Sequence, residues 1–281
     1  MSEQVDPPYA VKASLADIKR IRIPHLLEMK VQGRKWAMLT AYDLYSAEIF
    51  EAAGIPVLLV GDSAANTVYG YESTLTVTVD ELIPLVRAVT RATRRPLVIA
   101  DLPFGSYQAS PEQCLHTAIR FMKEGKAHAI KIEGGSEMAA QVQALTRAGI
   151  PVMAHIGFTP QHEHQLGGYR IQGRGAQAQQ LIETAKALEA AGAFALLVEM
   201  VPTAVASAIT KAVGIPTVGI GAGNACDAQV LVWQDMVGLR KERLPRFVKQ
   251  YADMRSVMTN AAQAFAADVE AGNFPGPEHS F

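Results

Sequence analysis

One apolar stretch after another in this chain closes on an acid. Segment 38–43 ends in Asp43, 57–62 in Asp62, 96–101 in Asp101, 129–133 in Glu133 and 195–199 in Glu199. Each is short enough for a buried strand, and a helix-like segment follows each one. In a parallel α/β barrel the carboxyl ends of all strands meet on one face, and that face holds the active site. These acids, far apart in sequence, are therefore expected to converge. Carboxylates crowded into one pocket repel each other unless a positive group sits among them, and a hard divalent cation bound through oxygen meets that need.

The punctuation supports such alternation. Ala53-Gly54-Ile55-Pro56, Ala148-Gly149-Ile150-Pro151 and Val213-Gly214-Ile215-Pro216 each precede a strand-like run. Glycine supplies the left-handed turn that ends a helix, and proline cannot continue the helix but can open a strand. Ser110-Pro111-Glu112-Gln113 and Thr78-Val79-Asp80-Glu81 read as capping boxes. Behind the second, Leu82, Leu85, Val86 and Val89 form one apolar helix face. Strands follow at 37–43, 57–62, 96–101, 129–133, 151–156, 195–200, 216–221 and 229–233, with helices between. Eight such units predict a single (β/α)8 TIM barrel over 1–281, since roughly 250 residues suit one barrel domain. An extra helix over 15–31 is placed at the barrel bottom, and a helical tail over 246–272. The irregular stretch 158–175 is expected to lie over the site.

Parity sharpens the expectation, because residues two apart on a strand share a face. Leu58, Val60 and Asp62 are placed together, as are Leu97, Ile99 and Asp101; Ala129, Lys131 and Glu133; and Ala195, Leu197 and Glu199. A single strand-end acid reads equally well as a helix cap or ion-pair partner; several in phase favour a shared site. Asp62 and Asp101 are the leading metal ligands, with Glu133 beside them or bound through water. Few carboxylates leave room for water and substrate oxygens, which suits magnesium, and no Cys/His cluster suits zinc. Lys131 is either a buried partner of Glu133 or a cation for a substrate oxyanion. His155 is either a hydrogen-bonded wall residue or a catalyst. His162 and His164 lack a further ligand. Gly219-Ile220-Gly221-Ala222-Gly223 is either a phosphate turn or a tight strand-to-helix turn. Cys114 reads as packing, and Cys226 is placed near the mouth without a base beside it.

Composition excludes other classes. A net charge of -1 gives no footprint for nucleic acid or an anionic membrane. No apolar run approaches the roughly 18 residues of a membrane span. Two cysteines form no disulfide framework, and the amino terminus lacks a secretion signal, so a cytoplasmic location is expected.

Several motifs then carry a resemblance. They are Leu39-Thr40-Ala41-Tyr42-Asp43, Val60-Gly61-Asp62-Ser63, Val77-Thr78-Val79, Ala100-Asp101-Leu102-Pro103-Phe104 and Lys131-Ile132-Glu133-Gly134-Gly135. Further along stand Gly157-Phe158-Thr159-Pro160-Gln161, Gly167-Gly168-Tyr169-Arg170-Ile171-Gln172-Gly173-Arg174, the glycine turn at 219–223, and Pro275-Gly276-Pro277-Glu278-His279-Ser280. In this order they resemble the ketopantoate hydroxymethyltransferase family, from about residue 15 to the end. The resemblance implies a magnesium-dependent barrel of the phosphoenolpyruvate/pyruvate type. Its reaction moves a hydroxymethyl group from 5,10-methylenetetrahydrofolate to 3-methyl-2-oxobutanoate, giving 2-dehydropantoate, the first step of pantothenate synthesis. It further implies that Asp62 and Asp101 bind the metal with Glu133, that Ser63 and Lys131 hold the keto acid, and that Glu199 is the base. Members assemble as homo-oligomers, commonly decamers. Three features depart from the family pattern: an apparent one-residue insertion at Gly125-Lys126-Ala127, Asp227-Ala228-Gln229, and the loop Gln161-His162-Glu163-His164. Two rivals are weighed. One is another magnesium-dependent enolate enzyme of the isocitrate lyase or phosphonopyruvate type, although 158–175 holds no cysteine. The other is a barrel serving only for binding or assembly.

Overall fold

A computed structural model describes residues 18–281. These form two compact units, one ending at Leu231 and the other spanning Val232–Phe281. In the first, eight parallel strands close into a barrel in sequence order. They are β1 (Trp36–Thr40), β2 (Val57–Val60), β3 (Leu97–Asp101), β4 (Ala129–Glu133), β5 (Val152–Gly157), β6 (Ala195–Glu199), β7 (Thr217–Ile220) and β8 (Ala228–Leu231). β8 pairs back with β1, Met38 opposite Val230, so no strand edge is left open. Helix α1 (Ile23–Val31) precedes the barrel. Around the strands run α2 (Leu44–Ala52), α3 (Ala64–Thr67), α4 (Val79–Ala92), α5 (Pro111–Arg120), α6 (Ala139–Arg147), α7 (Glu163–Leu166), α8 (Gln177–Ala190) and α9 (Thr203–Ala212).

The barrel interior is apolar up to its mouth. Met38, Val57, Leu59, Leu97, Ile99, Ala129, Met153, Ala195, Leu197 and Val218 form one buried cluster. Ile21, Leu26 and Met29 join it, so α1 closes the amino-terminal end, as expected for the bottom. The part of that expected helix at 15–17 lies outside the described residues.

Local signals explain the element bounds. Gly54 and Gly149 take the left-handed conformation, at φ +83° and +82°, and β2 and β5 begin one residue after the following proline. The capping box on α4 is complete: Thr78 Oγ1 accepts from the Glu81 amide, and Glu81 Oε2 accepts from the Thr78 amide at 2.8 Å. Its buried face is Leu82, Ile83, Val86 and Val89, with Leu85 less covered. Ser110 caps α5, but the Gln113 side chain accepts from Ala109 rather than closing a box on Ser110. The apparent insertion near Lys126 has a structural home. Residues Phe121–Gly125 widen into a π-turn, the Lys126 amide donates to Phe121 O, and Lys126 sits at φ 61°. One extra residue in a helix is what a π-bulge absorbs.

Two expectations fail here. No helix joins β7 to β8; residues 221–227 return as irregular chain. Cys226 is consequently not at the mouth: it precedes β8, next to Asp227, whose carboxylate accepts from the first amide of β7, that of Thr217. Both cysteines are buried and free, and burial pushes the Cys114 thiol up to about 12.

In the second unit α10 (Trp233–Met236) is followed by α11 (Met254–Glu270). The helix expected over 246–272 starts later because Asp253 caps it, accepting from the Ser256 amide at 3.2 Å. No helix among the described residues is long and apolar enough to cross a membrane.

Candidate active site

The acids that close the apolar stretches have different fates. Asp43 is a helix cap: its carboxylate accepts from the Ser46 amide at 2.9 Å and the Ser46 hydroxyl at 2.7 Å. Asp62, Asp101 and Glu133 do converge. Each offers an oxygen within 4.8 Å of the others, and all three are buried. Among the described residues no other group of His, Cys, Asp and Glu side chains comes this close, and His162 and His164 join none. Glu199 stands at the rim, its side chain 13 % exposed.

Strand register explains most of this placement. Asp101 lies opposite Lys131, Glu133 opposite His155, and Gly157 opposite Glu199. These strand-end residues continue the inward series of Leu97 and Ile99, Ala129, Met153, and Ala195 and Leu197. Asp62 is the exception. In β2 the interior residues are Val57 and Leu59, not Leu58 and Val60 as parity from Asp62 predicts. Val60 pairs with Ala100, so Gly61 falls in step with Asp101. Asp62 reaches the site because the chain leaves the strand at Gly61 and turns toward α3. Gly157, at φ +95°, has a different duty: an added Cβ would collide with the Glu199 carbonyl oxygen. Only glycine lets the end of β5 lie this close to β6, where the Phe158 amide donates to that carbonyl at 2.8 Å.

Lys131 is the hub. Its Nζ donates to Asp101 Oδ2 at 2.6 Å and to Glu133 Oε1 at 3.1 Å. His155 bridges outward: Nδ1 is 3.1 Å from Glu133 Oε1, and Nε2 is 3.3 Å from Glu199 Oε2, though not aligned as a hydrogen bond. His155 is thus hydrogen-bonded to the cluster and stands between it and the rim acid. Ser63, half-buried at the start of α3, has its Oγ fixed 2.7 Å from the Tyr42 hydroxyl.

Sequence reasoning gave no role to Gln161 or Tyr107, which complete the network. Gln161 Nε2 donates to Asp62 Oδ2 and to Leu102 O, each at 2.9 Å. Its backbone amide donates to Glu133 Oε2 at 3.0 Å. The Tyr107 hydroxyl, fully buried, donates to Gln161 Oε1 at 2.7 Å and accepts from the Glu133 amide at 3.1 Å. Tyr107 lies in a loop and Gln161 in a single 3-10 turn, too short to carry a pattern that would announce them.

The electrostatics follow from burial and crowding. Burial, then the Asp101 and Glu133 carboxylates, push Asp62 well above the usual carboxylate range. Burial also raises Asp101, against the pull of Lys131. Glu133 goes the other way: burial would raise it, but Lys131 and His155 hold it down. Lys131 is held above its ordinary value, since Asp101, Glu133 and Asp62 overcome its desolvation. Burial and Lys131 both act to lower His155, yet Glu133 and Glu199 lift it to about 9.

A cation fits the donor set. Both Glu133 oxygens and Asp62 Oδ2 already accept hydrogen bonds, whereas Asp101 Oδ1 is buried with no partner. A buried carboxylate oxygen left unpaired is costly. Among the described residues these acids meet Lys131 and His155 as cationic partners, and a divalent ion would favour the ionised form of the two acids that burial raises. A separate cavity of about 410 Å³ opens among Gly134, Gly157, His162, Gln172, Gln177 and Leu181. It takes no side chain from the acid cluster, though its lining begins at Gly134, next to Glu133.

Fold and mouth together define a (β/α)8-barrel enzyme with a buried, oxygen-rich acidic centre. The chain resembles solved structures of that kind. Phosphonopyruvate hydrolase, in complex with oxalate and Mg++, superposes with a TM-score of 0.60 at 16% identity, covering 92% of each chain. For 2,3-dimethylmalate lyase, a PEP mutase/isocitrate lyase superfamily member, the TM-score is 0.56 at 16% identity, with 91% and 92% covered. At such identities the likeness is one of fold. Sequence is more specific: the ketopantoate hydroxymethyltransferase family model matches residues 20–277. Proteins called 3-methyl-2-oxobutanoate hydroxymethyltransferase are similar over the whole length. The one from Nocardioides sp. is 63% identical, covering 100% of this chain and 98% of that protein. Those from Saccharopolyspora erythraea and Mycobacterium leprae are 64% identical (94% and 90% covered) and 56% identical (100% of each). The chain belongs to the ketopantoate hydroxymethyltransferase family.

Proposed function

We propose that the chain transfers a hydroxymethyl group from 5,10-methylenetetrahydrofolate to 3-methyl-2-oxobutanoate, with Mg2+ bound at Asp62 and Asp101. The observation that carries the reading is the unpartnered Asp101 Oδ1 inside a buried three-carboxylate cluster, faced across His155 by a more accessible acid, Glu199. Glu133 would support the cation less directly, since its oxygens are already taken by Lys131, His155 and the Gln161 amide. When bound, the cation supplies Lewis-acid polarisation of the keto group, which acidifies the hydrogen on C3.

The chain's own groups do the rest. Lys131 and the Ser63 hydroxyl hold the keto acid, and the ammonium stabilises negative charge as it develops on the keto oxygen. Glu199 takes the C3 proton. His155, a cation between Glu133 and Glu199, keeps that carboxylate turned toward the mouth. The C3 carbon then bonds to the methylene carbon as one of its C–N bonds to the folate breaks, and the oxygen of a water replaces the second nitrogen as the hydroxyl. The proton taken from C3 and one from that water go to the two freed nitrogens, and tetrahydrofolate and 2-dehydropantoate leave. The loop 158–175, whose Gln172 amide donates to Met200 O just past β6 at 2.9 Å, is assigned to shielding the reaction. Two buried free cysteines support a reducing, cytoplasmic setting, and family resemblance supports a homo-oligomer.

The test is formation of 2-dehydropantoate from the two substrates, with and without magnesium. Product that requires both the folate and the metal supports the reading. Keto-acid turnover independent of folate would overturn it.

A further inference from the structure

We propose that Gln161 is a positioning residue for the cation: it fixes which oxygen of Asp62 faces the metal and locks the loop after β5 to the same centre. This rests on the reading of Asp62 and Asp101 as metal ligands.

The argument starts from hydrogen-bond capacity. A side-chain amide has two N–H donors and an oxygen with two lone pairs. Gln161, 3 % exposed, uses all four. Nε2 donates to Asp62 Oδ2 and Leu102 O, while Oε1 accepts from the Tyr107 hydroxyl and from Gln108 Nε2 at 3.2 Å. Leu102 O, a backbone carbonyl, can only accept, so the amide has one possible orientation. With Oδ2 tied down, the other oxygen of Asp62 is the one left for the cluster centre. The same residue's backbone amide fixes Glu133 Oε2. One residue of a single 3-10 turn after β5 thus orients two of the three clustered carboxylates, one just past β2 and one at the end of β4. Lys131 does not do this for Asp62; its hydrogen bonds go to Asp101 and Glu133.

Partners of this kind act by holding a ligand in its binding rotamer, and their loss typically weakens metal affinity by about 10–100-fold. Gln161→Met keeps the length and removes every side-chain hydrogen bond. Mn2+ binding, followed by the loss of the free-ion paramagnetic resonance signal without substrates, should show a dissociation constant raised about 10–100-fold. In turnover, the magnesium concentration for half-activity should rise by the same factor, while kcat at saturating magnesium stays within a few-fold of the parent. Gln161→Asn retains the amide but is one methylene short, so its affinity should fall between the two. It also serves as the test if the Met variant does not fold.

Unaltered Mn2+ affinity in a folded variant overturns the proposal. A purely structural role gives that result too, together with a kcat lowered at every magnesium concentration. If the parent chain itself binds no Mn2+, the metal-site reading fails instead, so the two failures are distinguishable.

Discussion

The two ends of the barrel each bury an acid beside a lysine, but they use the pair differently. At the amino-terminal end Asp227 Oδ2 accepts from Lys30 Nζ at 2.9 Å, from the Thr217 amide at 2.8 Å and from the Thr217 hydroxyl at 3.0 Å. One carboxylate meets one ammonium, and the group ties α1 to the starts of β7 and β8. At the mouth Lys131 meets Asp101 and Glu133 at once, Asp62 lies within the same cluster, and Asp101 Oδ1 is left without a partner. The first arrangement is balanced and stabilises the fold. The second crowds three buried carboxylates round one ammonium and leaves one oxygen unpartnered, a gap that the proposed cation would fill. A charge cluster is diagnostic of function through what it leaves unmatched.

The largest effect that could break this contrast is at the rim. Glu199→Gln keeps size and cannot accept a proton, so turnover should fall by about 100–10,000-fold, as is usual when a general base is lost. With magnesium and keto acid in heavy water, NMR should show the C3 hydrogen of the parent exchanging and that of the variant not. Mn2+ affinity should persist, since the cluster carboxylates are on other strands. Near-normal exchange in a folded variant would place the base elsewhere.

Next comes the unpartnered oxygen. Asp101→Asn should weaken Mn2+ binding by at least about 100-fold, beyond the loss of an outer partner. Its melting temperature without metal should not fall in proportion, because the change also removes a carboxylate from a repelling set. Equal affinity with parent chain would mean that Asp101 is a plain partner of Lys131.

The amino-terminal end should respond in the opposite sense. Asp227→Asn leaves Lys30 without its carboxylate and weakens the hold on Thr217, a loss of about 1–3 kcal/mol of stability. Denaturant unfolding measures it. Turnover per folded molecule and metal affinity should be unaltered; a fall in either would show that the two ends are coupled.

How much of this was legible depends on whether a residue sits in a regular strand. Asp101, Lys131, Glu133, His155 and Glu199 lie in β3 to β6, where parity carries from the core to the mouth, so their convergence could be read. Asp62 could be picked as an acid, but its parity argument failed, since Gly61 ends the regular strand before it. Asp43 carries a capping signal, a serine three residues on, that was outweighed by the strand pattern. The missing helix before β8 was countable: residues 221–227 are too few for the dozen or more of a usual crossover. Gln161 and Tyr107 could not be reached by periodicity at all, because they act from loops whose path only the closed barrel fixes.

The smallest predicted effect probes the balanced end by pH. His128 stands just before β4; its Nδ1 accepts from the Val98 amide at 2.9 Å, and its Nε2 faces Arg20 Nη1 at 2.9 Å. Burial, then the Arg20 and Arg22 charges, lower its pKa from 6.5 to about 4. Between those values the unfolded chain binds a proton that the folded chain refuses. Stability from this group is therefore fully present above about pH 6.5 and is lost as pH falls toward 4. At pH 5 the loss should be on the order of 1 kcal/mol, after discounting for partial exposure. His128→Asn, which keeps an acceptor for Val98 and cannot titrate, should show a shallower fall in melting temperature from pH 7 to pH 5 than the parent. Its turnover at pH 7 should match the parent, because His128 belongs to the end of the barrel away from the acids. Parallel melting curves over that range would mean that the imidazole takes its proton as readily in the folded chain, and that the arginines beside it do not govern its charge.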